Sequence, residues 1–285
     1  MWLLEPTIPV GYGQLLTLPV LVTTLGFSRL LTATMVPSRQ AGDILGGMWQ
    51  LFNGLGMVPK ALIWDRESAI GGTGIVTVRA ASFAGSLSTR IQLAPPWDPK
   101  FKGMVQRNNG YFETWLLPGC SFASPADFNT QLDGWLPNSS HRVVRFLGQR
   151  PDEVLSAELE AMTLLPVSIP STRLRHRMRL GQAYYVRVDS TDYSVDSRCT
   201  DRFVDIYATA TRVTITRDGE IVGAQERCWA RRATISDPGH VSIAKTLRKP
   251  SPRSVSCRSA PAASMPTALR KGGRSPRQSR ISRAC

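Results

Sequence analysis

The sequence predicts an α/β core followed by a small all-β module and a basic tail. Short apolar runs alternate with helical patterns over residues 18–117, which is typical of an α/β fold. Short alternating strands replace that pattern over residues 183–224 and predict a small barrel. Residues 245–285 hold 11 of the 35 Lys and Arg and no acidic or aromatic residue.

The core elements follow from hydrophobic periodicity along the chain. Two apolar, β-branched runs separated by turn residues predict paired strands. Ser38 is the predicted N-cap of the helix that follows, and the next strand ends at Asp65. The predicted elements are strands at residues 18–24, 30–36, 61–64 and 90–93 and helices at 40–53, 80–87 and 102–117.

The second half is predicted to be helical first and then all-β. Its strongest local signal is Asp218-Gly219, which is typical of a two-residue hairpin turn between strands. The predicted β-strands are residues 183–189, 193–195, 202–207, 212–217 and 221–224. The predicted organisation is a core at 1–120, a helical extension and linker at 121–170, a β-barrel at 171–237 and a tail at 245–285.

The formal net charge of +14 belongs mostly to the tail. Residues 1–244 carry 24 basic and 21 acidic groups, a net of +3. The tail composition cannot bury enough apolar surface to offset the entropy of ordering, so disorder is predicted. The tail is either a nucleic-acid-binding arm or the product of a shifted reading frame or of read-through. Its abrupt start within a predicted final helix favours a shifted frame.

Composition also excludes some classes of protein. At 42% hydrophobic and 20% charged residues, a folded core is expected rather than global disorder or a membrane protein. Residues 6–28 lack charge, but Pro6, Pro9 and Gln14 make them too polar to span a bilayer. No signal peptide is expected, and the predicted location is the cytoplasm, in association with the nucleoid.

Asp65 is the first candidate for chemistry because it directly follows a predicted buried strand. Ligands and metals bind at the carboxyl ends of strands in α/β sheets. The alternative is a solvated turn aspartate. Glu67 is either a neighbouring ligand or a surface residue, and its position favours the surface.

Several segments resemble transposases of insertion sequences of the IstA type. Residues 56–65 (GMVPKALIWD) are similar to the segment around their second aspartate, and residues 99–111 (PKFKGMVQRNNGY) to their third-acid helix. The resemblance covers about residues 6–244. Further matching segments, in the same order, are residues 26–29, 37–41, 69–71, 112–114, 117–119, 185–189 and 192–195.

The resemblance implies a retroviral-integrase-like core of ribonuclease H type, a mixed sheet with flanking helices, followed by a Mu-transposase-like β-barrel. Such cores hold two Mg²⁺ or Mn²⁺ ions with three carboxylates and catalyse phosphoryl transfer in DNA transposition and integration. It also implies transposon-end and target DNA as partners, an ATPase helper protein and a homo-oligomer. Asp65 corresponds to the second acid.

The sequence departs from the family at two of the three acids. Gln106 stands where the third glutamate is expected, and a neutral amide is a weak ligand for a hard dication. The first acid falls at Trp2 or upstream of Met1. Glu5 faces away by strand alternation, and Glu113 lies two helical turns from position 106, so neither replaces a missing acid. The sequence therefore predicts a transposase-lineage protein that is catalytically impaired.

Two groups of basic residues are candidates for DNA phosphate contacts. Each could instead be an ordinary solvated cation. The group beside the third-acid helix is Lys100, Lys102 and Arg107. The group at the predicted entrance to the barrel is Arg173, Arg175, Arg177 and Arg179. An alternative function is that of a non-catalytic DNA-binding protein or dominant-negative regulator. A third possibility is a decaying gene fragment whose product does not fold stably.

Overall fold

The computed structural model describes residues 2–4, 6–95, 110–145 and 147–248. These residues belong to one compact unit that ends at Arg248. The boundaries proposed from the sequence at residues 120 and 170 stay a prediction.

The first half contains short strands with helices between them, as the sequence predicts. The strands are β1 Trp2–Leu4, β2 Thr7–Pro9, β3 Leu15–Thr17, β4 Val20–Thr24, β5 Leu31–Met35, β6 Met57–Val58, β7 Ala61–Trp64 and β8 Arg90–Leu93. The helices are α1 Ala41–Leu55, α2 Ser68–Gly71 and α3 Val78–Ser86. Strands β1, β4 and β5 form an antiparallel sheet, β2 pairs with β3, and β7 pairs with β8 in parallel.

Helix α1 is followed by a glycine C-cap, and its N-cap lies two residues later than the predicted one. Gly56 adopts a left-handed conformation (φ 77°) that closes the last turn, a conformation in which glycine carries no Cβ penalty. Gln40 is the N-cap residue, so the prediction of Ser38 as the cap is wrong. The Ser38 hydroxyl instead donates to Asp43 Oδ2 at 2.6 Å and accepts from the Gln40 amide at 3.1 Å.

Two apolar clusters hold the first half together. One joins α1, β7 and α3 through buried side chains that include Ile44, Trp64 and Phe83. The other joins β4 and β5 to α4 (Pro125–Ser140), with Phe128 fully buried. Residues 110–115 are helical and add Phe112 to this second cluster. The described part of the helix predicted at residues 102–117 therefore packs into the core.

The chain after α4 crosses back to the core before entering the β module. Helix α5 (Pro151–Glu160) is followed by β9 (Thr163–Leu164), which pairs antiparallel with β6. The module contains β10 Leu174–Arg179, β11 Tyr185–Val188, β12 Thr191–Ser194, β13 Phe203–Ala208, β14 Arg212–Arg217, β15 Glu220–Glu226 and β16 Thr234–Ile235.

The β module consists of two sheets around one core, not of the closed barrel that the sequence predicts. Strands β10, β13, β14 and β15 form one sheet, and β11, β12 and β16 form the other. No closed barrel is found among the described strands. The hairpin prediction is confirmed, because Asp218 (φ 50°) and Gly219 (φ 89°) form the turn between β14 and β15.

Helix α6 (Pro238–Arg248) ends the described chain. Disorder predicted from Lys245 is therefore wrong for residues 245–248, where helical hydrogen bonding continues past the change in composition. The remainder of the predicted tail lies outside the described residues. None of the helices in the described part of the chain is long and apolar enough to cross a membrane.

Candidate functional site

Asp65 lies at the carboxyl end of β7, as the sequence predicts. Leu62 and Trp64 are buried and fix the strand, whereas the Asp65 side chain is exposed. Its Oδ1 accepts a hydrogen bond from the Arg66 amide at 2.8 Å. Because β7 and β8 are parallel, Asp65 stands at the sheet edge where ligands bind in α/β proteins.

The nearest described acid along the chain has a cationic partner. Glu67 lies 3.7 Å from an Arg39 guanidinium nitrogen, and its side chain is only 17% exposed. Glu67 is therefore partly buried and ion-paired rather than fully solvated. The ion pair offsets the negative charge beside Asp65 and connects the α2 region to the loop before α1.

The described residues do not fit a two-metal centre. No group of three or more His, Cys, Asp or Glu side chains that could hold a metal occurs within residues 2–4, 6–95, 110–145 and 147–248. Asp65 is one carboxylate, and two-metal catalysis needs several oxygen ligands. Gln106, the substituted third-acid position, lies outside the described residues, as do Lys100, Lys102 and Arg107. Glu113 is exposed in the helical segment at 110–115.

The arginine cluster, predicted at the entrance to the barrel, lies on an edge strand, with Arg173 directly before it. Strand β10 pairs with β13 over its full length, and its other edge is not paired with any described strand. Leu174 and Met178 pack against the module core. Alternation places Arg173, Arg175, Arg177 and Arg179 together on the outer face, where all four are exposed. The structure thus brings the four predicted residues into one row.

Two arginines of this row have an acidic neighbour. Arg175 lies 3.6 Å from Asp205, and Arg179 lies 3.7 Å from Asp201. Exposed pairs of this kind contribute little to stability and are screened by salt. Four arginines face two aspartates, so the row keeps a positive excess.

A cleft between the core and the β module contains two arginines that sequence reasoning missed. Its volume is about 380 Å³, and Arg79, Arg175 and Arg187 line it. Arg79 on α3 donates to the carbonyls of Thr172 (3.2 Å) and Arg173. Only their positions in the fold bring these side chains together.

The charge of Arg187 is already paired within its own hairpin. Its Nε and Nη2 donate to the two carboxylate oxygens of Asp192, each at 2.7 Å. These hydrogen bonds lower the pKa of Asp192, against the opposing effect of partial burial. Arg79 and Arg175 are therefore the cleft cations with the weaker carboxylate pairing.

Arg227 joins the β module to the core and was not singled out by the sequence. Its guanidinium contacts Asp43 at 2.6 and 2.8 Å and Asp189 at 2.7 Å. The Arg227 and Asp43 side chains are 1% and 2% exposed. Gln40 also donates to Asp189 at 2.6 Å. This buried network pairs both Nη atoms of Arg227, while its Nε has no hydrogen-bond partner, and it fixes the two parts in one relative position.

Comparison with known proteins finds similarity to transposases. Residues 165–237 match the family model of the Mu transposase C-terminal domain. The chain is 27% identical over 135 residues to a putative transposase for insertion sequence element IS5376 from Geobacillus stearothermophilus. That alignment covers 46% of this chain and 34% of the relative, so the chain spans about a third of the relative's length.

Solved structures of retroviral proteins also align with the chain. The catalytic core domain of BIV integrase aligns with a TM-score of 0.40 and 16% identity, covering 56% of this chain and 95% of that one. A chain from the simian T-cell lymphotropic virus intasome in complex with PP2A regulatory subunit B56 gamma gives 0.41 and 18%, covering 81% and 77%. TM-scores this low do not establish a shared fold. The chain is thus similar to transposases over part of its length.

Proposed function

We propose that this chain is a DNA-binding protein of the IstA-type transposase lineage whose phosphoryl-transfer activity is impaired. The observation that carries the proposal is the match of residues 165–237 to a transposase domain that here presents a row of four exposed arginines. Arginine guanidinium groups bind phosphate oxygens with two parallel hydrogen bonds, so such a row suits a DNA backbone.

Impaired catalysis is the second part of the proposal. In the family whose resemblance the sequence carries, three acids of a ribonuclease-H-like core hold Mg²⁺ or Mn²⁺, and here Gln106 replaces one of them. Asp65 is the residue that would hold a metal ion, which would supply charge stabilisation at the transferring phosphate. A single exposed carboxylate binds such an ion weakly, and this supports the loss of activity. A helper ATPase and self-association belong to the same proposal.

The alternative function is that of a non-catalytic regulator that occupies DNA sites of an intact transposase. It makes the same predictions for DNA binding and for the absence of nicking, and it differs in that the chain competes with an intact transposase for DNA. The row of arginines supports both functions equally. Inhibition of an intact transposase by this chain separates them.

A binding and cleavage experiment on the full chain tests the proposal. We expect a mixed-sequence 30-base-pair duplex to bind with an affinity that falls steeply between about 50 and about 200 mM salt. The double variant Arg175→Glu/Arg177→Glu should weaken binding and flatten the salt dependence. The control Arg90→Glu changes an exposed arginine at the opposite end of β8 from the Asp65 edge and should bind normally.

The same protein should not nick supercoiled plasmid with Mg²⁺ or Mn²⁺ above the level of Asp65→Ala. Robust nicking that Asp65→Ala abolishes would contradict the loss of activity. Absence of duplex binding at low salt would contradict the proposed function as a whole.

A further inference from the structure

We propose that Phe203 and Tyr207 hold Arg173, Arg175 and Arg177 in place for contact with the phosphates of duplex DNA. We call these five residues the arginine–aromatic ladder. The inference rests on the proposed DNA binding and adds two aromatic residues that the sequence did not mark. Their role is to position the guanidinium groups, not to read bases.

Strand pairing puts the two rings beside the arginines. Phe203 and Tyr207 lie four residues apart on β13, so both point to the outer face while Val204 and Ile206 point to the core. Tyr207 is the direct cross-strand partner of Arg175, and Phe203 is that of Arg179.

The guanidinium groups lie over the ring faces. The Arg173 and Arg175 guanidinium carbons are 5.9 and 5.8 Å from the Tyr207 ring centroid. That of Arg177 is 5.5 Å from the centroid of Phe203, its diagonal neighbour. Separations below about 6 Å are favourable for a cation over an aromatic face.

Phe203 is 59% exposed on the outer face of the sheet. Exposing a large apolar side chain to water is unfavourable unless another group covers it. Arg177 supplies partial cover. The ring restricts the conformers of the long arginine side chain. The in-plane N–H groups of the guanidinium stay available for a phosphate.

The spacing and charge favour a phosphate backbone as the partner. Alternate residues of a strand repeat about every 6.7 Å, so the ladder offers a regular row of cations rather than one pocket. Asp205 lies between the rings and neutralises part of the charge near Arg175. The remaining excess is positive and exposed, which suits sequence-independent contacts.

The experiment measures duplex binding by fluorescence anisotropy with the full chain at several salt concentrations. Phe203→Leu and Tyr207→Leu remove the rings and keep apolar cover. We expect each to weaken binding about two- to fivefold, from the size of an exposed cation–π contact. The double variant should reduce the slope of log K against log salt by about 0.9 for each phosphate that the arginines no longer neutralise.

Two controls separate positioning from general disruption. Tyr207→Phe keeps the ring and should bind like the unmodified protein. Ile221→Ala changes another exposed apolar residue on the same face, opposite Thr216 on β14, and should leave binding unchanged. Circular dichroism and thermal unfolding check that each variant is folded.

The outcomes distinguish this inference from the proposed function. If the unmodified protein binds duplex DNA and the Leu variants match it in affinity and slope, the ladder has no role. Equal losses in Ile221→Ala, or a preference for single-stranded DNA that disappears with the rings, would also overturn the inference. If the unmodified protein does not bind, the proposed function fails first.

Discussion

At the scale of single residues, charge pairing decides which side chains are available for function. Arg187 looks on the sequence like any basic residue, yet its Nε and Nη2 both donate to Asp192. The carboxylate contact of Arg175, to Asp205, is longer at 3.6 Å. Two arginines that line the same cleft therefore differ in how freely they can bind an anion.

The Arg187–Asp192 pair predicts a pH dependence of stability. The pKa of Asp192 in the folded protein is below its ordinary value of 3.8, so the unfolded chain binds the proton more tightly. The stabilisation is present above pH 3.8 and is lost as pH falls through the lower folded value. We expect Asp192→Asn to lower the Tm at neutral pH, with the difference shrinking below about pH 4.

Thermal unfolding between pH 7 and pH 2.5 measures this effect. Arg187→Met should show the same pH window, and the double variant should add little to either single change. A Tm difference for Asp192→Asn that stays constant down to pH 2.5 would show that the pair is not its cause.

At the scale of elements, the carboxylate of Glu158 joins α5 to the turn between β4 and β5. The two oxygens of Glu158 accept from the amides of Phe27 (2.9 Å) and Ser28 (2.7 Å) in the turn between β4 and β5. Ser28 is fully buried, so its amide has little access to water when the carboxylate is removed. Charged acceptors of this kind are stronger than neutral ones.

Glu158→Gln is expected to destabilise the fold by about 1–3 kcal/mol, because the amide offers one acceptor oxygen and turns its NH₂ toward a second donor. Chemical denaturation measures the change in the free energy of unfolding. Glu160→Gln, an exposed change on the same helix, should be neutral. Equal effects of the two variants would exclude the attachment of α5 as the reason.

At the scale of the whole molecule, Arg227 connects the β module to the first turn of α1. Asp43 and Arg227 are 184 residues apart, and both side chains are almost fully buried. Removing one partner of a buried ion pair leaves the other charge without compensation, which costs more than the pair itself contributes.

Arg227→Met is therefore expected to destabilise the protein by about 3–5 kcal/mol. Denaturant unfolding gives the value, and Arg202→Met, an exposed change in the same module, should be near neutral. The double variant Asp43→Asn/Arg227→Met should be more stable than Arg227→Met, since it removes the uncompensated charge at Asp43. A loss below about 1 kcal/mol for Arg227→Met would mean that the junction is not a structural connection.

Local sequence determined the elements of this protein. Periodicity located β4, β5, α1, β7 and β8 within a few residues, because side chains on one face of a helix or strand must reach the core. Asp218-Gly219 specified its hairpin, since both residues tolerate positive φ. Local sequence also identified Asp65, because this residue directly follows a strand that periodicity predicts to be buried.

Tertiary structure alone decided which of these elements meet. The sequence favours a barrel, but pairing between strands distant in the chain gives two sheets. Register across β10 and β13 places the rings of Phe203 and Tyr207 against arginines about 30 residues away. The contact of Arg227 with Asp43 depends on folding of the whole unit. Periodicity reports only which face of an element is buried, whereas partners in space depend on long-range packing.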